Sequence, residues 1–339
     1  MLRPDSRFQS YPKIELHLHL DCSVTWTALQ RLGTTLTRDQ YLSQFVAPEE
    51  CTSLKQYLDA IAPSCALLQT TGALRIATAE LIAELDQDGV IYAELRFAPQ
   101  THLSDGLTLD EVMEAVVAGV AEGKSGRAID VGLILCALRD YSAEQNLAVI
   151  DLAHRWTDRG VVGVDIAGDE AGHALAPNYV VFERAHALGL NITAHAGEAA
   201  GADSVAEVLT HLNPQRIGHG VRCLENDDVV QMLKERGTHL EVCPSSNVQV
   251  GVCADFASHP IDTLSRRGLS LGVNTDARTV APISLSLEYE RLEAAFGWGR
   301  GEFLAHNLEA ARNAFQPQSV RDALCRQLVA AWQAENSIS

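Results

Sequence analysis

The sequence predicts an α/β protein, a (β/α)8 barrel with extra helices after the first strand and at the C-terminus. Three observations carry that reading. Apolar runs of strand length recur eight times, separated by stretches of helical periodicity. Many of these runs are continuously apolar, as parallel strands buried on both faces must be. The chain has 339 residues, which suits eight strand–helix units closed into one barrel. A doubly wound open sheet is the alternative that the same alternation allows. No internal repeat, linker or low-complexity segment interrupts the pattern, so residues 1–339 read as a single domain.

The first strand is expected over 13–21, KIELHLHLD. Ile14, Leu16 and Leu18 alternate with His17 and His19, and residues two apart on a strand share a face. The two histidines therefore point the same way, as a metal pair or as two satisfied polar residues of a buried strand. A short helix follows over 25–32, then a polar break over 33–50. In 53–68, Leu54, Leu58, Ile61, Leu67 and Leu68 recur near helical spacing, one helix more than a simple crossover needs. It reads either as a lid over a site or as a helix packed in place. A helix over 73–85 closes at Asp88-Gly89.

The alternation is regular from there. Strands are expected at 90–97, 130–136, 161–167, 191–196, 216–219, 238–243 and 269–275. Helices are expected at 109–121, 143–156, 179–188, 204–212, 228–235 and 260–267. Three final helical patterns occupy 285–295, 302–314 and 320–334.

Composition narrows the function. The chain is 47% hydrophobic and 21% charged, with a net charge of −18. That charge argues against nucleic acid and anionic membrane partners, which need clustered Lys and Arg. The N-terminus, MLRPDSRFQSYPK, lacks the apolar core of a signal peptide, and no apolar run reaches membrane-spanning length. The eight cysteines form no C-x-x-C pair. They read as reduced thiols, and the expected location is the cytoplasm.

In a barrel, catalytic residues gather at the C-terminal ends of the strands. Here five strand ends carry them: His17, His19 and Asp21; Asp165, Gly168, Asp169 and Glu170; His195 and Glu198; His219; and Asn274, Thr275 and Asp276. Three histidines and a carboxylate suit a zinc ion with one position left for water. His17, His19, His195 and Asp276 are the assigned ligands, one Zn2+ per chain. Zinc brings the pKa of its water to about 7, giving a nucleophile at neutral pH. A bridged two-metal site would need a lysine near the fourth strand's end, and none of the four lysines (Lys13, Lys55, Lys124, Lys234) lies there. Glu198 is the candidate general acid, protonating a ring nitrogen, and His219 the group that orients the nucleophile. His173 is a rim candidate. His102, His154, His186, His211, His239, His259 and His306 read as surface or packing residues. No G-x-S-x-G elbow, P-loop or G-x-G-x-x-G fingerprint occurs.

Five segments in order, ELHLHLD, DIAGDE, HAGE, RIGHG and NTD, resemble the adenosine deaminase family of the amidohydrolase superfamily, over roughly residues 10–330. YAELRFAP and CPSSN resemble its framework segments. The resemblance implies zinc-dependent hydrolysis of adenosine or 2'-deoxyadenosine to inosine or 2'-deoxyinosine plus ammonia, a purine salvage step. It implies that His17, His19, His195 and Asp276 hold the zinc, that Glu198 protonates purine N1, and that His219 assists attack at C6. It also implies that the Gly168 N–H binds N3 and that His19 and Asp21 lie near the ribose, Asp21 favouring a nucleoside over free adenine. Two departures stand out. Many members carry a second aspartate, which binds N7, where this chain has Ala277. Arg278 or a water is the expected substitute. Cys22 stands where many have Gly. The alternative substrate is therefore another 6-aminopurine compound, such as a modified adenine nucleoside or free adenine.

Overall fold

Eight parallel strands follow one another in sequence order around a ring. They are β1 (Lys13–His19), β2 (Val90–Phe97), β3 (Asp130–Leu138), β4 (Val161–Ala167), β5 (Thr193–Ala196), β6 (Arg216–His219), β7 (His239–Val242) and β8 (Leu271–Val273). This computed structural model describes residues 7–51 and 54–334. Strands β1 to β4 pair in one run and β5 to β8 in another. Backbone bridges Val164–Ile192 and Leu18–Asp276 join the two runs at both seams. The sheet thus closes into a barrel and leaves no edge, so the open-sheet alternative fails. Helices between successive strands form the outer layer, with their buried apolar faces against the sheet.

Strands β2, β4 and β6 occupy the expected residues. Strand β8 is shorter than its apolar run, and its neighbours explain why. Asn274 keeps its backbone N–H on the Val242 carbonyl at 2.8 Å, while its Oδ1 accepts from the N–H groups of Leu16 and His17 at 2.8 and 3.1 Å. Thr275 donates its backbone N–H to Glu15 at 2.8 Å. These bonds stitch the end of β8 to β1, which is what brings Asp276 beside the histidine pair.

The region after β1 is more helical than the sequence reading allows. The expected polar break over 33–50 contains a helix, Arg38–Phe45, held by a capping box between Thr37 and Gln40. It buries only Tyr41 and Phe45, one turn apart, too sparse a stripe to give a periodic signal. The expected single helix over 53–68 is two helices, Leu54–Asp59 and Ala62–Leu67 (Ser53 lies outside the described residues). Pro63 is the reason. It lacks an N–H and clashes with a preceding turn, so it is tolerated where it stands, in the first turn of the second helix. The long helix Thr71–Gln87 then leads into β2. At the other end, helices Leu285–Phe296, Arg300–Asn313 and Gln318–Ala334 complete the chain. Trp332 closes the barrel's far side, its indole N–H donating to the Pro12 carbonyl at 2.8 Å. Among the described residues no helix is long and apolar enough to cross a membrane.

Candidate active site

Charged residues inside the barrel set the site's geometry from below. Arg96, on β2, is fully buried. It donates to Asp165 on β4 at 2.9 Å, to Glu241 on β7 at 2.7 Å, and to the Leu16 carbonyl on β1 at 2.7 Å. Arg216 on β6 pairs with the other side of Glu241 and with Glu94. Burial alone would raise both acceptor carboxyls, but His195 and then Arg96 reverse it for Asp165, and Arg96 and then Arg216 for Glu241. Asp165 and Glu241 are held well below the usual carboxylate range.

Those two carboxylates orient the first histidines. Glu241 meets His17 Nδ1 at 2.9 Å and Asp165 meets His195 Nδ1 at 2.9 Å. Each ring therefore carries its proton on Nδ1 and turns Nε2 upward, the arrangement that second-sphere carboxylates impose on metal-binding imidazoles. His17 Nε2 is buried and has no hydrogen-bond partner among the described residues. Asp276 Oδ1 stands 3.5 Å from both His17 Nε2 and His19 Nε2, and His19 Nε2 is 3.1 Å from His195 Nε2. Bonds of about 2.0–2.1 Å at tetrahedral angles place zinc ligands roughly 3.4 Å apart. The four assigned donors fit one such ion. Burial holds His19 well below its ordinary pKa, leaving it a neutral donor. Burial opposes ionisation of Asp276, but the adjoining His17 imidazole, first among its neighbours, holds it ionised.

His219 lies close to the same ring, its centroid 4.9 Å from that of His17, and its donor atom falls within the cluster of His17, His195 and Asp276. Its hydrogen bonds give it a different task. The Ile261 N–H donates to His259 Nδ1 at 3.0 Å, so neutral His259 carries its proton on Nε2 and meets Asn247 Oδ1 at 3.3 Å. Asn247 in turn offers its amide N–H to His219 Nδ1 at 3.0 Å. Burial holds His219 neutral, so its proton sits on Nε2. In that tautomer it presents a donor N–H rather than a lone pair. His102, His239 and His259 are buried, in keeping with packing residues, but His259 also reaches the site through Asn247.

Backbone strain marks both key strand ends. His219 and Asp276 adopt φ of +61° and +63°; among the described non-glycine residues only Asn213 also has positive φ. Such conformations persist only where surrounding bonds enforce them. Here the Asp276 N–H donates to the His17 carbonyl at 2.9 Å and its carbonyl accepts from the His19 N–H at 2.7 Å. Gly218 allows close packing below, since a Cβ there would lie 2.7 Å from His17 Cε1.

Glu198 is fixed by Glu170, a residue the sequence reading placed at the β4 end without a task. One Glu170 carboxylate accepts from the N–H groups of Gly197, Glu198 and Ala200 at 2.7, 3.1 and 2.9 Å. The loop after β5 is thereby locked while the Glu198 side chain stays free. Glu198 Oε1 is buried, without a hydrogen-bond partner, and 3.6 Å from His219 Nδ1. Burial first, then the charges of Asp276 and Glu170, push its carboxyl well above the usual range. Both favour the protonated acid over the carboxylate.

A cavity of about 430 Å³ opens over these groups. His19, Asp21, Gly168, His195, Glu198, His219 and Asp276 line it, with His173 at its edge. Gly168 (φ +99°) turns the chain where β4 ends. Asp21 accepts from the Ala98 N–H at 3.2 Å, and burial raises its carboxyl to about 6. Ala277 does not line the cavity; it packs behind Cys22 and Tyr57. Arg278 is no substitute either. It is turned away and paired with Asp88 at 2.8 Å and Glu15 at 3.2 Å. Tyr57, which the sequence reading passed over, does line the cavity.

The Arg96 network gives a first expected result. Arg96→Met leaves Asp165 and Glu241 buried with less compensation, and breaking such a pair typically costs about 3–5 kcal/mol. It also loosens both imidazole anchors, which should weaken metal binding roughly 10- to 100-fold. Thermal unfolding and a zinc titration measure the two effects, and parent-like values in both would remove Arg96 from this role.

Comparison with known proteins agrees with the geometry. A family model described as adenosine deaminase matches residues 12–331. The chain is 35% identical to an adenosine deaminase of Mycobacterium leprae, over 94% of each. It resembles the crystal structure of an adenine deaminase from Arthrobacter aurescens with a TM-score of 0.86 and 27% identity, covering 94% of this chain and 98% of that one. It also resembles arabidopsis ADAL complexed with IMP, with a TM-score of 0.86 and 25% identity, over 97% and 99%.

Proposed function

The chain belongs to the adenosine deaminase family, and we propose that it is a zinc-dependent hydrolase converting adenosine and 2'-deoxyadenosine to inosine and 2'-deoxyinosine with release of ammonia. The observation that carries this reading is the buried Glu198 carboxyl, its Oε1 without a hydrogen-bond partner among the described residues, beside four converging donors. His17, His19, His195 and Asp276 would hold the zinc. When bound, zinc supplies the Lewis acidity that makes water a nucleophile near pH 7.

The chain's own residues supply the rest. Glu198 holds its proton beside the substrate ring and delivers it to N1, so that C6 becomes electrophilic as water adds. His219 presents Nε2–H towards the adding oxygen, its tautomer fixed by Asn247. Asp276 stays ionised, its outer oxygen accepting from Ser246 Oγ at 2.6 Å. Of the added water's two protons, one returns to the Glu198 carboxylate and the other passes to the 6-amino group. Ammonia then leaves C6, the 6-oxopurine keeps its proton on N1 and the acid is restored. The Gly168 N–H is the proposed partner of N3, and Asp21 with His19 of the ribose side. The whole of 1–339 acts as one catalytic unit.

The cavity's charge favours an uncharged nucleoside over a nucleotide. Among the described residues no lysine or arginine lines it, while Asp21, Asp59, Asp140 and Asp169 do. A 5'-phosphate would meet carboxylates and no bidentate cation. With zinc-loaded protein, kcat/KM for adenosine should exceed that for AMP by at least about 100-fold, a difference of about 2.7 kcal/mol. A panel of adenosine, deoxyadenosine, adenine, N6-methyladenosine and AMP, followed by ammonia release, tests the reading; no turnover of adenosine would end it. The net charge of −18 supports the absence of nucleic acid or membrane partners. Eight unpaired cysteines support the cytoplasm as its compartment.

A further inference from the structure

Helix Pro244–Gln249 follows β7 and carries two residues on which the site depends. Ser246 donates to Asp276 at 2.6 Å, and Asn247 holds His219 Nδ1 at 3.0 Å. Six residues are too few for a helix to keep its own place, so contacts with the rest of the barrel must set it. Its start has no cap of its own. Cys243 stands at the cap without a side-chain bond, and Pro244, which has no N–H, opens the first turn. Its far end is tied to the segment after helix Arg38–Phe45, Gln249 donating to the Pro48 carbonyl at 2.8 Å.

A different element holds the start. Helix Leu285–Phe296 carries Glu288 and Arg291 three residues apart on one face, and both reach Ser245. The Ser245 N–H donates to Glu288 Oε1 at 3.0 Å, and its hydroxyl bonds the same carboxyl. Arg291 donates to Ser245 Oγ at 2.6 Å, its guanidinium packed over the Phe256 ring at 5.4 Å. An acidic group at a helix start satisfies an orphan N–H and suits the helix dipole. Glu288 is fully buried, and neither it nor Arg291 lines the substrate cavity. Burial raises its carboxyl to about 7, the mark of a group kept there at a cost. Packing alone would be served better by an apolar side chain.

We infer that Glu288 and Arg291 are positioning residues: by fixing Ser245 they place Ser246 and Asn247, and through these they set the aim of Asp276 and His219. The inference rests on the deaminase reading for the tasks of Asp276 and His219. Three consecutive residues make the link short. Ser245 is held from outside the site, Ser246 holds the metal-side carboxylate, and Asn247 holds the histidine that meets the adding oxygen. A displacement of Ser245 is therefore passed to both groups at once, and a misplacement of about 1 Å can cost roughly 100-fold in rate.

Two quantities test this, zinc affinity by competition with a chelator and kcat for adenosine at saturating zinc. They are measured for the parent, Glu288→Gln, Glu288→Leu, Ser246→Ala and the double variant Glu288→Leu/Ser246→Ala. Glu288→Leu should weaken zinc binding about 10-fold and lower kcat about 10- to 100-fold, with KM within a few-fold. Glu288→Gln keeps an acceptor for the Ser245 N–H and should stay within about threefold of the parent in both. Ser246→Ala should weaken zinc about as much as Glu288→Leu, and the double variant no more than either alone, because one bond is lost by either route. Additive losses would mark a general loosening of the barrel and overturn the assignment. So would a Glu288→Leu protein that is parent-like in either zinc affinity or kcat. If Glu288→Leu does not fold, Arg291→Met, a change at an exposed side chain, takes its place in the same cycle. It should weaken zinc by about 3- to 10-fold, and parent-like affinity there would overturn the assignment too. Zinc affinity is read without turnover. Weakened, non-additive binding in a protein that leaves adenosine intact would therefore refute the deaminase reading and leave the positioning role standing.

Discussion

Glu198→Gln is expected to lower kcat for adenosine by about 10²- to 10⁴-fold, the contribution a positioned general acid usually makes. KM should stay within a few-fold, because the amide keeps the carboxyl's shape and a donor N–H facing N1. Zinc content should be unchanged, since Glu198 is not among the converging donors. The pH profile should carry the same signature. The reaction needs the protonated form, and burial with the Asp276 and Glu170 charges raises this carboxyl well above its usual value. Parent activity is therefore present below that raised pKa and falls as pH rises through it. Stability follows the same direction. An unfolded glutamate ionises near pH 4.3, while the folded one still holds its proton, so the folded state binds more protons over that interval. The parent loses stability as pH rises through the interval, and Glu198→Gln removes that loss. The variant should thus be the more stable protein at alkaline pH and much the poorer enzyme. Steady-state kinetics and thermal unfolding across pH measure both, and a Gln variant with parent-like kcat would take Glu198 out of proton transfer.

What was legible in the sequence follows the physics of each signal. The barrel showed itself because continuous apolar strands and periodic helices alternate in chain order, and local pattern suffices to count them. His17, His19, His195 and Asp276 stood out as polar residues at the ends of such strands. The groups that aim them were harder to see. Arg96, Asp165 and Glu241 are isolated charges inside apolar runs, which is itself a sign of an inward-facing ion network, but their partners lie 69 and 145 residues away from Arg96. Glu170 is invisible as a clamp until the loop after β5 folds onto it. His259 and Asn247 act only through a chain of bonds to His219. Tyr57 was missed for a different reason. Its helix is short, Pro63 splits the helical run that contains it, and nothing local says that it lines a cavity.

Removing the metal is expected to abolish turnover and lower thermal stability together, because the same donors serve both. His17 Nε2 is buried with no hydrogen-bond partner among the described residues, and Asp276 is an ionised carboxylate beside His19 and His219, which burial holds neutral. Without a cation these groups lack much of their compensation, so the empty site is a cost that the barrel bears. An ion that binds only the folded state adds about 4 kcal/mol when its free concentration is a thousandfold above Kd. Exhaustive chelation should therefore drop activity at least about 1,000-fold and lower Tm by several degrees, and one equivalent of zinc should restore both. His17→Ala separates the metal from the fold. Glu241 keeps Arg96 and Arg216 after the imidazole is gone, so the barrel stays paired. That variant should fold, bind well under one zinc per chain, and gain nothing from added zinc in Tm or turnover. A chelated parent that keeps full activity with negligible residual metal would show that water is activated by the side chains alone, and the convergence of the four donors would then need another cause.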